Sequence, residues 1–271
     1  MRYQLGRGAV LAVYAVLIIV PVTVVIFGSF KTTPELFASP FTPPSSISFE
    51  NYDVVLNQQN LRQAFLNSVL VTGASVLLTL LIGSLAAYAV ARIPGWKGWL
   101  IFGFLVLGMS VPPQANMIPQ YVLFDQLGLL DSRIGLVLIN IVVGLPVAVF
   151  ILAGFMRTLP RETYEASSVD GAGPLRTYWS IVMPMSTPSI AATAIFLFVI
   201  QWNDLLYPLL FISSPGKKTI PLALLDFQGQ FLTDYPLLFT GVVIASLPVV
   251  IGYILLQRHF VAGITAGAVK G

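Results

Sequence analysis

Residues 165–184 read EASSVDGAGPLRTYWSIVMP, and their pattern is that of two short helices joined by a tight turn. The spacing predicts a first helix near Arg161 to Val169, with small Ala166, Ser167 and Ser168 in its centre. Asp170, Gly171, Ala172 and Gly173 make the turn, because glycine reaches backbone conformations closed to other residues. Pro174 is placed as the first residue of a second helix. Leu175, Tyr178, Trp179 and Val182 follow at i, i+3, i+4, i+7 spacing, which predicts one apolar face, and Pro184 is expected to end the helix. Periodicity leaves two uses open. The hairpin either seats in a groove on a partner and carries its displacement into the flanking segments, or rests among lipid headgroups as an interfacial helix.

Outward from this loop, which covers residues 156–187, the chain is strongly apolar. Of 271 residues 56% are hydrophobic and 9% are charged, against about 25% charged in soluble domains. So little charge cannot cover a water-facing surface, and most of the solvent must be lipid. A helix needs about 20 apolar residues to cross a bilayer, and six runs qualify, at 9–28, 67–91, 99–121, 135–155, 188–210 and 239–257. Pro112 and Pro113 interrupt the third, while Pro146 and Pro248 fall in the fourth and sixth. Lipid tolerates such breaks only where packed neighbours satisfy the freed carbonyls, so a bundle is expected. The first run exceeds the usual 7–15 residue core of a signal peptide and lacks a small-x-small cleavage site, so it is expected to be a retained span.

The fold class expected is all-α, a polytopic membrane protein with six transmembrane helices. With the N-terminus in the cytoplasm, Arg2, Arg7, Arg92, Lys97, Arg157, Arg161, Arg176, Arg258 and Lys270 of the 14 basic residues fall inside, and the other five outside. The positive-inside rule therefore places both termini in the cytoplasm of a multi-pass protein of the inner or plasma membrane. The domain organisation expected is a first helix with an external loop over 1–60, a five-helix core over 61–257 and a cytoplasmic tail over 258–271. The external segment 29–64 is rich in proline and serine and is expected to carry short helices. Gly83, Ala87 and Ala91 form a small-residue stripe suited either to packing within the chain or to a subunit interface.

Several functions are excluded or disfavoured. The chain has no cysteine, and its sole histidine, His259, lies just past the last run at headgroup level. It has no metal-binding helix motif, and Gly216-Lys217 lacks the remainder of a phosphate-binding loop. The chain is not expected to be an enzyme or to bind nucleic acid.

The hairpin sequence resembles the coupling motif of permeases of ATP-binding-cassette (ABC) importers, in which EAA, three residues, G, nine residues, I, any residue, L and P follow in order. Glu165, Ala166, Gly171, Ile181 and Pro184 match at the correct spacing, and Asp170 with Ala172 completes the DGA triplet common in the family. Ser167 replaces the third small residue and Met183 the leucine, each keeping size class. Trp202-Asn203-Asp204 and the ending GITAGAVKG, Gly263–Gly271, resemble the smaller permease of maltose-type carbohydrate uptake systems. The resemblance implies the type I ABC importer permease fold. It also implies that the loop docks on a cytoplasmic ATPase. Two such ATPase subunits bind ATP and Mg, this chain having no cofactor of its own. A second permease forms a heterodimer with this one, and an extracytoplasmic solute-binding protein delivers a carbohydrate substrate.

Asp204 is the one ionisable side chain placed within an expected span, where a charge costs about 2.5–3.5 kcal/mol and so usually faces a cavity or partner. Trp202, Asn203 and Asp204, with Asn116 and Gln120 beside the Pro112-Pro113 break, are the candidate substrate-pathway residues; interfacial anchoring explains Trp202 equally well. Glu165 is read as a docking contact, with favourable charge near a helix N-terminus as the alternative. A permease for glycerol phosphate or a polyol remains compatible with the coupling motif. An ion-coupled secondary transporter would be expected to carry intramembrane acid–base pairs.

Overall fold

The computed structural model describes residues 2–228 and 233–268, with side chains over 6–8, 10–228 and 233–254. The Val269–Gly271 end of the tail and the His259 side chain lie outside the described parts. In chain order the helices are α1 (Arg2–Gly28), α2 (Thr33–Ala38), α3 (Glu50–Asp53), α4 (Leu61–Arg92), α5 (Gly95–Val106), α6 (Met117–Gln126), α7 (Arg133–Met156), α8 (Arg161–Val169), α9 (Pro174–Thr177), α10 (Met183–Met185), α11 (Thr187–Trp202), α12 (Leu206–Phe211), α13 (Ile220–Leu224) and α14 (Tyr235–Ala268).

Four of these, α1, α4, α7 and α14, are long and apolar enough to cross a membrane. Two further pairs are long and apolar enough only when each is taken as one bent span, Gly95–Ser110 with Pro113–Gln126 at 84° and Pro174–Met185 with Thr187–Trp202 at 77°. The sequence-based third span, 99–121, is therefore not one rod. Val111 and Pro112 sit at ψ 117 and 125, outside the helical region, because a residue before proline is pushed off the α conformation. The fifth span, expected over 188–210, stops at Trp202 and resumes as α12 only at Leu206. The Asn203 amide donates to the Val199 carbonyl at 2.7 Å, and the Asp204 carboxylate accepts from the Leu206 N–H at 3.1 Å. Short polar side chains here offer the backbone an alternative to the helix ladder.

Contacts group the chain into two units, Met1–Leu66 with Lys218–Val249, and Asn67–Lys217 with Val250–Gly271. In the first, the segment 29–64 carries the short helices α2 and α3 and is pinned by buried polar groups. Lys31 is buried, and its ammonium donates to the Ser39 and Thr42 carbonyls at 2.6 Å each. The Asn51 amide donates to the Ser29 and Lys31 carbonyls at 2.9 Å each, and the Thr240 hydroxyl donates to the Ser29 carbonyl at 3.1 Å. Those carbonyls would otherwise be orphaned at the end of α1, where leaving them unpaired is costly.

In the second unit α4 packs on α7 through the small-residue stripe. A Cβ added at Gly83 would lie 3.0 Å from the Ala148 Cβ. Ala87 is fully buried in a core cluster with Tyr88, Leu152, Ala153, Met156, Tyr178 and Val182, against which Ala91 packs. The stripe thus serves packing within the chain.

At the opposite end of α7, Asp131 fastens the segment after α12. Its carboxylate accepts from the Ser213 and Ser214 N–H groups at 3.1 and 2.9 Å and from the Lys217 ammonium at 2.8 Å. These bonds, that from Lys217 first, hold its carboxyl well below the usual carboxylate range. A lowered folded value means that the charged form stabilises the fold. That contribution is complete at neutral pH and declines only as the pH drops below about 4, the ordinary aspartate value. Asp131→Asn is expected to lower the melting temperature at pH 7. The gap to the native protein should narrow below about pH 4; a gap of constant size would remove the charge from the explanation.

Candidate functional site

The hairpin forms as its residues dictate. α8 runs Arg161–Val169, as its spacing predicts, and Gly171 turns the chain at φ +70. The Gly171 and Ala172 N–H groups donate to the Ser168 and Ser167 carbonyls at 3.1 and 2.9 Å, closing the end of α8. Ser167 is buried, and its hydroxyl shares a 3.1 Å hydrogen bond with that of Thr177, clamping the two arms together.

The second arm departs from expectation. Residues Tyr178–Val182 form a π-helical turn rather than α-helix, which slips the face that 3.6-residue spacing would produce. Tyr178 and Val182 are buried, whereas Leu175 is 69% and Trp179 54% exposed. Pro184 does not stop the helical path but lies at the start of α10, which runs to Met185 before the chain turns at Ser186. Proline fits there as part of the first turn of a new short helix, whose N–H groups need no partner.

Tyr178 is the root of the hairpin. Its hydroxyl shares a 2.7 Å hydrogen bond with that of Ser84 in α4, and its ring lies 5.3 Å from the Tyr88 ring. Arg92 donates to the Tyr88 hydroxyl at 2.6 Å, and that hydroxyl donates to the Pro174 carbonyl at 3.0 Å. Glu165, Ala166, Asp170, Gly171 and Pro184 are exposed, while Ala172, Ile181 and Met183 are half-buried. The hairpin therefore offers one free edge and has one edge rooted in the bundle.

A cavity of about 310 Å³ opens where the third span breaks, between Pro113 and Met117, α7 and the end of α11. Gln114, Asn140, Gln201, Asp204 and Tyr207 supply its polar lining, and the remaining wall is apolar. Gln201 is buried; its amide donates to the Asn140 carbonyl at 3.3 Å, and its Oε1 has no partner among the described residues. Gly144 permits this approach, since a Cβ there would come within 3.2 Å of Gln201 Nε2 and 3.3 Å of Thr79 Cγ2. The Tyr207 hydroxyl donates to Gln120 Oε1 at 3.0 Å, so Gln120 stands behind the lining. Irregular backbone at membrane depth is tolerated where it borders such a cavity.

Residues 79–266 match the family of binding-protein-dependent transport system inner membrane components. The chain belongs to that family.

Several relatives of this permease align over nearly its whole length. It is 34% identical to the diacetylchitobiose uptake system permease protein NgcG of Streptomyces coelicolor, over 99% of this chain and 90% of that one. It is 32% identical to the melibiose/raffinose/stachyose import permease protein MelC of Bacillus subtilis, over 93% and 91%. The probable starch degradation products transport system permease protein AmyC of Thermoanaerobacterium thermosulfurigenes is 35% identical over 95% and 94%. A chain in the crystal structure of a bacterial ABC transporter involved in alginate import superposes with a TM-score of 0.82 at 19% identity, covering 95% of this chain and 96% of that one. At that identity the likeness establishes the fold, which is that of an ABC importer permease.

Of the sequence-predicted pathway residues, the permease places only Asp204 on the cavity. Gln120 reaches it through Tyr207. Trp202 is buried with its ring stacked 5.4 Å from Phe198, and Asn203 and Asn116 are exposed elsewhere. Sequence reading missed Asn140 and Gln201. Each is an amide in an otherwise apolar run, the signal that marks polar groups facing a bundle interior.

Proposed function

We propose that this permease forms half of the translocation pathway of an ABC importer that carries a sugar or oligosaccharide across the cell membrane. A second, different permease supplies the other half. Two cytoplasmic ATPase subunits bind ATP and Mg, and an extracytoplasmic binding protein delivers the substrate. The observation that carries the reading is the hairpin at Glu165–Pro184, free along one edge and rooted through Tyr178 in the packed cluster of α4 and α7. Closure of the ATPases pulls the free edge, and the buried root passes that displacement into the spans. Glu165, Ala166, Asp170 and Gly171 make the contact, Ser167 holds the hairpin closed, and Ala172, Ile181, Met183 and Pro184 set its base. The carbohydrate assignment is supported by the relatives, whose names specify uptake of diacetylchitobiose, of melibiose, raffinose and stachyose, and of starch degradation products.

The domain reading keeps residues 1–60 as entry helix and external loop, 61–257 as the core and 258–271 as a tail on the ATPase side, with both termini cytoplasmic. The chain has no cysteine, so single cysteines placed at Gly8 and at Ser45 test its orientation by impermeant labelling. Labelling of Gly8→Cys from outside intact cells would reverse it.

Gentle solubilisation of the tagged chain is the decisive experiment. It should bring down a second permease and an ATPase. Recovery of the chain alone, moving solute in liposomes without ATP, would replace this reading with a secondary transporter.

The cavity at the helix break is the segment of the pathway this chain contributes, with Asp204 the primary contact and Gln201 and Asn140 beside it. Asn at position 204 preserves the acceptor for the Leu206 N–H, so the fold should survive. Removing a charged hydrogen-bonding group costs about 1.5 kcal/mol or more, roughly tenfold in uptake. Asp204→Asn is expected to slow transport by that factor at unchanged complex yield. Normal uptake would take Asp204 out of the mechanism.

A further inference from the structure

A second cavity, of about 500 Å³, lies beside the hairpin at the ends of α4 and α7 and the start of α8. Arg92, Arg157 and Arg161 line it together with Trp99, Tyr164 and Glu165. Among the described residues no carboxylate lies within ion-pair distance of any of the three guanidiniums; the two ion pairs present are Lys217–Asp131 and Lys218–Asp226. Three cations against the single Glu165 carboxylate leave the cavity with a net positive charge. Arg157 is held in place by aromatic faces, its guanidinium carbon 4.4 Å from the ring centres of Trp99 and of Phe102. Arg92 is oriented by its bond to Tyr88 and lies 5.8 Å from the Tyr164 ring centre. Two of the three arginines are thus pre-positioned by their surroundings rather than free in solvent.

What surrounds the cavity selects the ligand. α5, which supplies Trp99, also presents Trp96, Leu100 and Phe104 to the outside, at 70%, 64% and 75% exposure. Tryptophan favours the headgroup level of a bilayer, and the apolar residues beyond it suit acyl chains. Basic cavities between spans on the cytoplasmic side are where anionic headgroups are held, and guanidinium pairs phosphate oxygens in bidentate geometry. We propose that the cavity of Arg92, Arg157 and Arg161 binds the phosphate headgroup of an anionic phospholipid, set against the base of the hairpin. The bound lipid cross-links the ends of α4 and α7 to α8, and so stiffens the base on which the hairpin moves. The proposal depends on the functional reading only for the leaflet that supplies the lipid.

The test uses the purified full chain with whatever subunits accompany it, in a neutral detergent. Bound lipid is counted by native mass spectrometry after titration with phosphatidylglycerol, phosphatidylcholine or inorganic phosphate. Phosphatidylglycerol should be retained and phosphatidylcholine should not. The double variant R157Q/R161Q should bind phosphatidylglycerol roughly 30-fold more weakly, from the usual worth of two basic residues near an anionic surface. R161Q alone, at an exposed position outside the aromatic stack, should lose part of the affinity with no change in fold, and Arg157→Lys should retain more than Arg157→Gln. Equal retention by the native and double-variant proteins would overturn the assignment. So would equal uptake of phosphatidylcholine, or displacement of phosphatidylglycerol by millimolar phosphate, which would make the ligand a soluble anion. Lipid bound as expected on a chain that brings no ATPase would sink the transport reading and leave this one standing.

Discussion

Gly171→Trp is expected to leave the chain folded and inserted, and to abolish substrate-stimulated ATP hydrolysis by the assembled importer. A Cβ added at Gly171 meets nothing within 4 Å, so the indole has room to point outward from the tip of the hairpin. The cost inside the chain is limited to forcing a side chain into the φ +70 conformation, about 1–2 kcal/mol. The cost to docking is larger, because a bulky ring at the centre of a close contact displaces the whole partner surface. Losing a central contact costs about 2 kcal/mol or more, roughly 30-fold in affinity. Gly171→Ala separates the two effects, since it carries the backbone strain without the bulk. Alanine should retain most of the coupling. If the tryptophan variant still hydrolyses ATP in step with substrate, the hairpin is not the docking element. Equal loss in both variants would make the turn conformation, rather than the free space around it, the essential feature.

Tyr178→Ala is expected to cost more fold stability than a change on the exposed edge, and to abolish coupling through a different route. Tyr178 is fully buried among Ala87, Tyr88, Leu152, Ala153, Met156 and Val182. Truncating a buried aromatic to alanine costs about 3–5 kcal/mol. Here the loss falls where the hairpin joins the spans. The ATPase subunits should still co-purify, because the free edge is intact, but ATP hydrolysis should no longer follow substrate. Tyr178→Phe keeps the ring and removes only the 2.7 Å hydrogen bond to Ser84. Ser84 retains a donor route to the Leu81 carbonyl at 3.1 Å, so the cost should be about 1 kcal/mol, with transport largely preserved. A phenylalanine variant as defective as alanine would make the hydroxyl pair, not the packed ring, the transmitting element. Wild-type coupling in the alanine variant would disconnect Tyr178 from the mechanism.

These two positions differ in how far the chain's letters reveal them. Gly171 was legible, because a glycine in a DGAG turn between two short amphipathic runs has few other uses. Spacing alone groups Tyr178 in one apolar face with Leu175, Trp179 and Val182, whereas Tyr178 and Val182 are buried and Leu175 and Trp179 exposed. The π-helical turn at Tyr178–Val182 splits that face, and 3.6-residue spacing carries no information about an inserted wide turn. The candidate pathway residues show the same division. Asp204 stood out as a charge in an apolar run, but its neighbours on the cavity, Gln114, Asn140 and Gln201, come from three separate segments. The polar cluster Trp202-Asn203-Asp204 was read as one unit by adjacency. A helix end scatters consecutive side chains, and only Asp204 reaches the cavity.

The sequence alone determined that the chain is helical and lies in lipid, that it resembles importer permeases, and that it carries a helical hairpin between residues 161 and 184. The helices, the lipid environment and the hairpin follow from composition, local periodicity and turn chemistry, which act over a few neighbouring residues; the kinship follows from the motif at Glu165–Pro184. Tertiary structure decided where the third and fifth spans break, which face of the hairpin is rooted, and which polar groups share a cavity. It also brought Arg92, Arg157 and Arg161 to one basic cavity from the ends of three helices. Such groupings depend on how helices far apart in the chain pack, on the close approach allowed at Gly83 and Gly144, and on polar groups seeking partners where water is absent.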